Sequence, residues 1–249
     1  MMVVEPFRWN LFSFGKVEST QQLALEQARL PNAEGMVITA EEQTAGRGSR
    51  GRTWVAPPGA AVLASLILQP PPARRQPVLL TALAAVSVCE VIHLTTGLVP
   101  ALKWPNDVLV SRKKVAGVLV DLTAHAAVLG VGVNVNTPTS FFASARLTEA
   151  TSLAIETGRD LDREQVLSGF LRLLGDHYQR LRHGDNQTLL QQWRRYTGLR
   201  GRQAALVTAR QELCGQILAL DFEELLIRDD DGRELRLQPE EILQIKPLP

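Results

Sequence analysis

The chain has 249 residues, 45% hydrophobic and 21% charged, long enough for a substantial core and for one large domain or a large and a small one. Its 27 Lys and Arg against 26 Asp and Glu leave no global basic field to attract nucleic acid, so anion recognition has to be local. Two distant cysteines, Cys89 and Cys214, exclude a disulfide scaffold or a CxxC metal site and are read as reduced core thiols, pointing to a cytoplasmic enzyme.

The amino-terminal stretch MMVVEPFRWNLFSFG carries Glu5, Pro6 and Arg8 where a signal peptide needs an apolar run. Residues 17 to 30 read as a short helix, with Ser19 and Thr20 as caps, Leu23, Gln27 and Leu30 along one side, and Pro31 as its end. Gly35 to Gln43 reads as a strand feeding the segment QTAGRGSRGRTW, and AAVLASLIL as a buried strand after it. The apolar run Val78 to Leu94, broken by Ser87, Glu90 and His93, falls short of the roughly 20 apolar residues of a membrane span and is expected to be a buried helix.

From Ala101 to Asn136, short β-branched runs separated by turns suggest an antiparallel meander. A helix follows with Asp162 and Gln165 as a capping pair and a stripe of Leu167, Phe170, Leu171, Leu174, Tyr178 and Leu181; another spans Asn186 to Thr197. After Leu199, short strands joined by polar turns such as DDDGR suggest a small β-barrel.

Gly46, Gly48 and Gly51 have the spacing of a dinucleotide fingerprint, but Pro57 and Pro58 would break the helix that such a turn must open. The segment reads instead as a mobile loop whose glycines admit a ligand and whose Arg47, Arg50 and Arg52 offer donors to phosphate, with Trp54 to cover an adenine. Gly15 and Lys16 lack the rest of a Walker pattern, Ser49 is no nucleophile elbow, and the four histidines show no ligand spacing. In LKWPNDVLV, Pro105 presets a turn that fixes Lys103 at a strand end.

These two motifs, followed by KKVAGVLVD and GVGVNVN, resemble biotin protein ligases from about Ser19 to Asn136. The resemblance implies an α+β fold: a catalytic core related to class II aminoacyl-tRNA synthetases over residues 1–198, with helices on a mixed sheet, and a small SH3-like barrel over 199–249. It implies ATP and biotin as substrates, Mg²⁺, a biotin carboxyl carrier domain as partner and room for a homodimer, while the near-neutral charge and the interrupted apolar run predict neither DNA nor a membrane as partner.

By motif position, Ser19, Thr20, Gln21, Gln43, Gly46, Arg47 and Gly117 would serve biotin. Arg47, Gly48, Ser49, Arg50, Arg52, Trp54, Lys103 and Asn134 would serve ATP and the adenylate, with Lys103 catalytic and no metal ligand assigned. Gly117 and Gly132 would let strands approach the bicyclic ring. The family commonly has asparagine at Gln21, arginine at Ser49 and glutamate at Asp121. A lipoate or octanoate ligase and a noncatalytic biotin-binding protein remain as alternatives. The 18 residues before Ser19 are too few for a winged helix-turn-helix, so a repressor is not expected.

Overall fold

The computed structural model describes residues 6–248; the first five residues of the amino-terminal stretch, Glu5 among them, lie outside it. Seven strands form the large sheet: β1 (Asn10–Val17), β2 (Met36–Gln43), β3 (Ala61–Leu68), β4 (Ala101–Lys103), β5 (Asp107–Val110), β6 (Lys113–Leu122) and β7 (Ala127–Asn134). Their order is β1-β2-β3-β7-β6-β5-β4; β1 and β2 are parallel and the other pairs antiparallel, so the sheet is mixed. The expected meander occupies the antiparallel half.

The sheet's two faces are treated differently, and β3 shows how. Val62, Ala64, Leu66 and Leu68 point into the main core beneath α2 (Pro77–Thr96), whereas Ser65 and Ile67 point to the other side, toward α1 (Thr20–Gln27). After α3 (Thr139–Ser144) and α4 (Leu153–Thr157), α5 (Arg163–Arg182) packs beside α2 with the expected stripe inward, Leu167 only partly buried. Asp162 caps α5 by accepting from the backbone of Glu164 (2.8 Å) and Gln165 (3.3 Å). The helix α6 (Gln187–Thr197) ends at Gly198 with φ 57°.

Two expectations are corrected. The helix α2 reaches 20 residues and is apolar enough, by length and composition, to cross a membrane, although most of it is buried inside the molecule. Ser87 turns its hydroxyl back to the carbonyl of Leu83, and Glu90 meets the buried His177 at 2.8 Å, which accommodates the polar interruptions. Cys89 is buried as expected, but Cys214 is exposed on β9 (Glu212–Leu220).

The carboxy-terminal strands are β8 (Gln203–Thr208), β9, β10 (Leu225–Arg228), β11 (Glu234–Leu237) and β12 (Ile242–Pro247). They form an antiparallel sheet of order β11-β10-β9-β8-β12, with β11 and β12 as edges, so among the described residues its hydrogen bonds do not close into a barrel. This sheet touches both motifs of the larger unit. Trp104 donates to the carbonyl of Ile242 (2.9 Å) and stacks toward Trp193, and Arg50 donates to the carbonyl of Leu243.

Candidate active site

A cavity of about 370 Å³ opens on the α1 face of the large sheet, where helix cover stops. At one end the lining is polar and uncharged. Ser19 caps α1, its hydroxyl accepting from Gln22 N at 3.4 Å; this presents Thr20 and Gln21 on the buried side of the helix. The buried face is thus Thr20, Gln21 and Ala24, not the expected line of Leu23, Gln27 and Leu30, and Leu30 is exposed.

Gln43 Oε1 accepts from both the backbone N–H (2.8 Å) and the hydroxyl (3.0 Å) of Thr20. The Thr20 hydroxyl also meets Ser65 Oγ at 2.9 Å, and Ser65 donates to Gln21 Oε1 at 3.0 Å. Two hydroxyl hydrogens therefore serve three close oxygen–oxygen contacts. One contact is left without a hydrogen, and the cluster is short of donors. Gln21 Nε2 donates to Asp121 Oδ2 (3.0 Å) and to the carbonyl of Val128 (3.1 Å).

The other end is cationic. Arg47, Arg52, Lys103, Arg112 and Lys114 line it, with Asp107 and Glu149 as its carboxylates. The glycine–arginine segment is folded as a tight hairpin, held by a bridge between Arg47 and Thr53 and by Gly48 N to Arg52 O (2.7 Å) and Trp54 N to Gly46 O (2.9 Å). Gly46 has to lack a side chain because a Cβ there would run into the carbonyl of Trp54. Ser49 Oγ accepts from Arg52 (2.8 Å) and from Asn106 (3.3 Å), so its own hydrogen is left for a ligand.

Lys114 is held where Lys103 is not. Its ammonium lies 2.6 Å from Asp107 Oδ1 and 5.6 Å from the centre of the Trp54 indole. That indole lies on Gly117 and Gly132, which are paired across β6 and β7; a methyl on Gly132 would collide with it. The glycine floor expected to admit a ring is therefore covered by Trp54, with the indole N–H buried and without a partner among the described residues. Lys103, exposed at the end of β4, lines the cavity with no ion pair among the described residues.

Thr20, Gln21, Gln43, Arg47, Gly48, Ser49, Arg52, Trp54, Lys103 and Gly117 thus line one cavity. Ser19 and Gly46 stand behind the lining. Arg50, at φ 58°, turns away to the carboxy-terminal sheet. Asn134 points to the carbonyl of Thr151 (3.1 Å) with its Oδ1 buried and unpartnered among the described residues, outside the cavity wall.

Lys114, Asp107, Asn106 and Arg112 are lining residues that the sequence reading gave no role. For Lys114 the reason is a register shift: Asp107 pairs with Gly117 and Val108 with Ala116, but Leu109 pairs with Lys114, leaving one extra residue in β6. Regular alternation from Gly117 would aim Lys113 at the cavity; the bulge puts Lys114 there.

A mixed sheet with a cavity that is neutral and polar at one end and cationic at the other defines a binding fold for an elongated ligand with a polar head and an anionic tail. Residues 14–136 match the model of the biotin/lipoate A/B protein ligase family. The chain is 33% identical over 217 residues to the bifunctional ligase/repressor BirA of Bacillus spizizenii, covering 85% of this chain but 66% of that relative's length. With the biotin–[acetyl-CoA-carboxylase] ligase of Mycobacterium tuberculosis it shares 29% identity, covering 86% of this chain and 80% of that one. The biotin protein ligase from Aquifex aeolicus in complex with biotin and ATP superposes with a TM-score of 0.80 at 26% identity, over 96% of this chain and 99% of that one.

Proposed function

We propose that this protein is a biotin protein ligase: it joins biotin to ATP to give biotinyl-5′-adenylate and passes the biotinyl group to a lysine of a biotin carboxyl carrier domain. The observation that carries the choice of substrate is the donor shortage around Thr20, Ser65, Gln21 and Gln43. Biotin's ureido head supplies N–H donors and a carbonyl; an octanoyl or lipoyl chain supplies no N–H. The alternative of a lipoate or octanoate ligase therefore ranks second.

In the first step a carboxylate oxygen of biotin attacks the α-phosphorus of ATP and the bond to the β-phosphate oxygen breaks, releasing pyrophosphate. Two anionic groups about 4 Å apart repel by roughly 4 kcal/mol at an effective dielectric near 20. A cation between them removes that barrier and gains as charge gathers in the transition state. The bridging role expected of Lys103 falls on geometry to Lys114, which Asp107 holds over the glycine floor; Lys103, with Arg52 and Arg112, faces the outgoing phosphates.

Mg²⁺ would neutralise the departing pyrophosphate. Among the described residues no group of three His, Cys, Asp or Glu gathers to cage a metal, so the ion would be held mainly by phosphate oxygens, with Asp107 and Glu149 as the nearest cavity carboxylates. In the second step the carrier lysine's amine attacks the acyl carbon, the carbon–oxygen bond to phosphate breaks, and AMP leaves as the amine loses its proton. No enzyme nucleophile is required.

Trp54 has to leave the glycine floor when the ring system enters, which makes it available to cover the adenine. Residues 1–198 form the catalytic unit in this reading and 199–249 its SH3-like companion; the reaction is cytoplasmic and involves no DNA. The test is intact-mass analysis of a carrier domain incubated with the protein, biotin, ATP and Mg²⁺. One biotinyl group on the carrier lysine is expected; an unmodified carrier with biotin and a modified one with lipoate would overturn the assignment.

A further inference from the structure

A closed circuit of side chains links the neutral end of the cavity to the cationic one. It starts at Gln43, where β2 enters the glycine–arginine hairpin, and passes through Thr20, Ser65 and Gln21 to Asp121 on β6. From Asp121 it returns to the hairpin at Arg47, whose guanidinium lies 3.6 Å from Asp121 Oδ2. The same carboxylate oxygen receives both Gln21 and Arg47, and among the described residues no other side-chain bond or ion pair engages that carboxylate. We propose that Asp121 is a positioning residue that couples the biotin head to the phosphate-side hairpin: it fixes the amide of Gln21 for the head and holds Arg47 over the cavity mouth. This rests on the function proposed above.

Two observations make the contact specific. Gln21 fits because position 130 is glycine; a Cβ there would lie 2.6 Å from Gln21 Oε1. The amide is also orientated without ambiguity, since its NH₂ faces the acceptors Asp121 and Val128 O while its oxygen faces the Ser65 hydroxyl. Gln21 is one methylene longer than an asparagine and Asp121 one shorter than a glutamate, so exchanging both residues keeps the reach of the bond while either exchange alone changes it.

The experiment is a double-mutant cycle with Gln21→Asn, Asp121→Glu and both together. Two readouts are taken on the whole chain: the thermal midpoint without ligand and the calorimetric Kd for biotin. Each single variant shortens or overfills the gap, and should raise Kd by about 10-fold and lower the midpoint, as expected for a lost bond to a charged group. The double variant should bind biotin within about 3-fold of wild type and recover most of the midpoint. A double variant as weak as the product of the two singles, with no recovery of the midpoint, overturns the role of Asp121. A recovered midpoint in a chain whose wild type leaves biotin unbound would instead contradict the proposed function, so the two failures are told apart.

Discussion

The two ends of the cavity are built on opposite plans. At the neutral end, Thr20, Gln21 and Ser65 are each at most 3% exposed and every side chain is tied to another. At the cationic end, Arg52 is exposed, Lys103 and Arg112 are exposed and unpaired among the described residues, and Trp54 covers the floor that the ligand needs. The difference teaches an order of events. A buried polar cluster is preorganised and costs little to reuse on each turnover, whereas like charges held apart in solvent converge when an anion arrives. Under the proposed function, the head site would be ready before nucleotide and the phosphate site would be completed by it.

The largest expected break in this contrast is Lys114→Ala. It should slow adenylate formation by about 100- to 1000-fold, the loss typical of a group that stabilises transition-state charge, while biotin Kd stays within about 3-fold. Single-turnover kinetics beside calorimetry separate the two. Lys103→Ala should follow the same pattern more weakly, about 10-fold, because its exposed ammonium is screened by water. Equal losses from both lysines would erase the distinction drawn between them.

Thr20→Val tests the neutral end. It keeps the shape and removes one of the two hydroxyl hydrogens, and should weaken biotin by about 10- to 100-fold, roughly 1–3 kcal/mol, in the absence of ATP. An unchanged Kd would place the head elsewhere. Gly132→Ala should displace the indole from the floor, seen as a change in tryptophan fluorescence without ligand.

The smallest effect sharpens the cationic end. Ser49→Arg replaces one neutral donor by a charge-assisted one and should slow release of preformed adenylate by a few-fold, about the gain of one such bond. Equal or faster loss would mean that position 49 does not reach phosphate.

Much of this was legible because the chemistry sits in short motifs. The loop of Gly46 to Trp54, read as a loop though not as the hairpin it forms, the capped helix at Ser19 and the meander from Ala101 each follow from glycine, cap and β-branched signals that act locally. What escaped depends on partners far away. The inward face of α1 is polar because Ser65 and Gln43 wait for it, so apolar periodicity pointed to the wrong side. Lys114 was hidden by a one-residue bulge that no local propensity marks, and Arg50 was drawn off by the carbonyl of Leu243, 193 residues away. The strand count of the carboxy-terminal sheet was readable, but its open edges are a property of register.

The most direct test of the account is exchange of labelled pyrophosphate into ATP, run without any carrier domain. The account predicts exchange that depends on biotin, is not supported by lipoate or octanoate, and is lost in Lys114→Ala while that variant still binds biotin. Exchange supported equally by octanoate, or full exchange in Lys114→Ala, would contradict it.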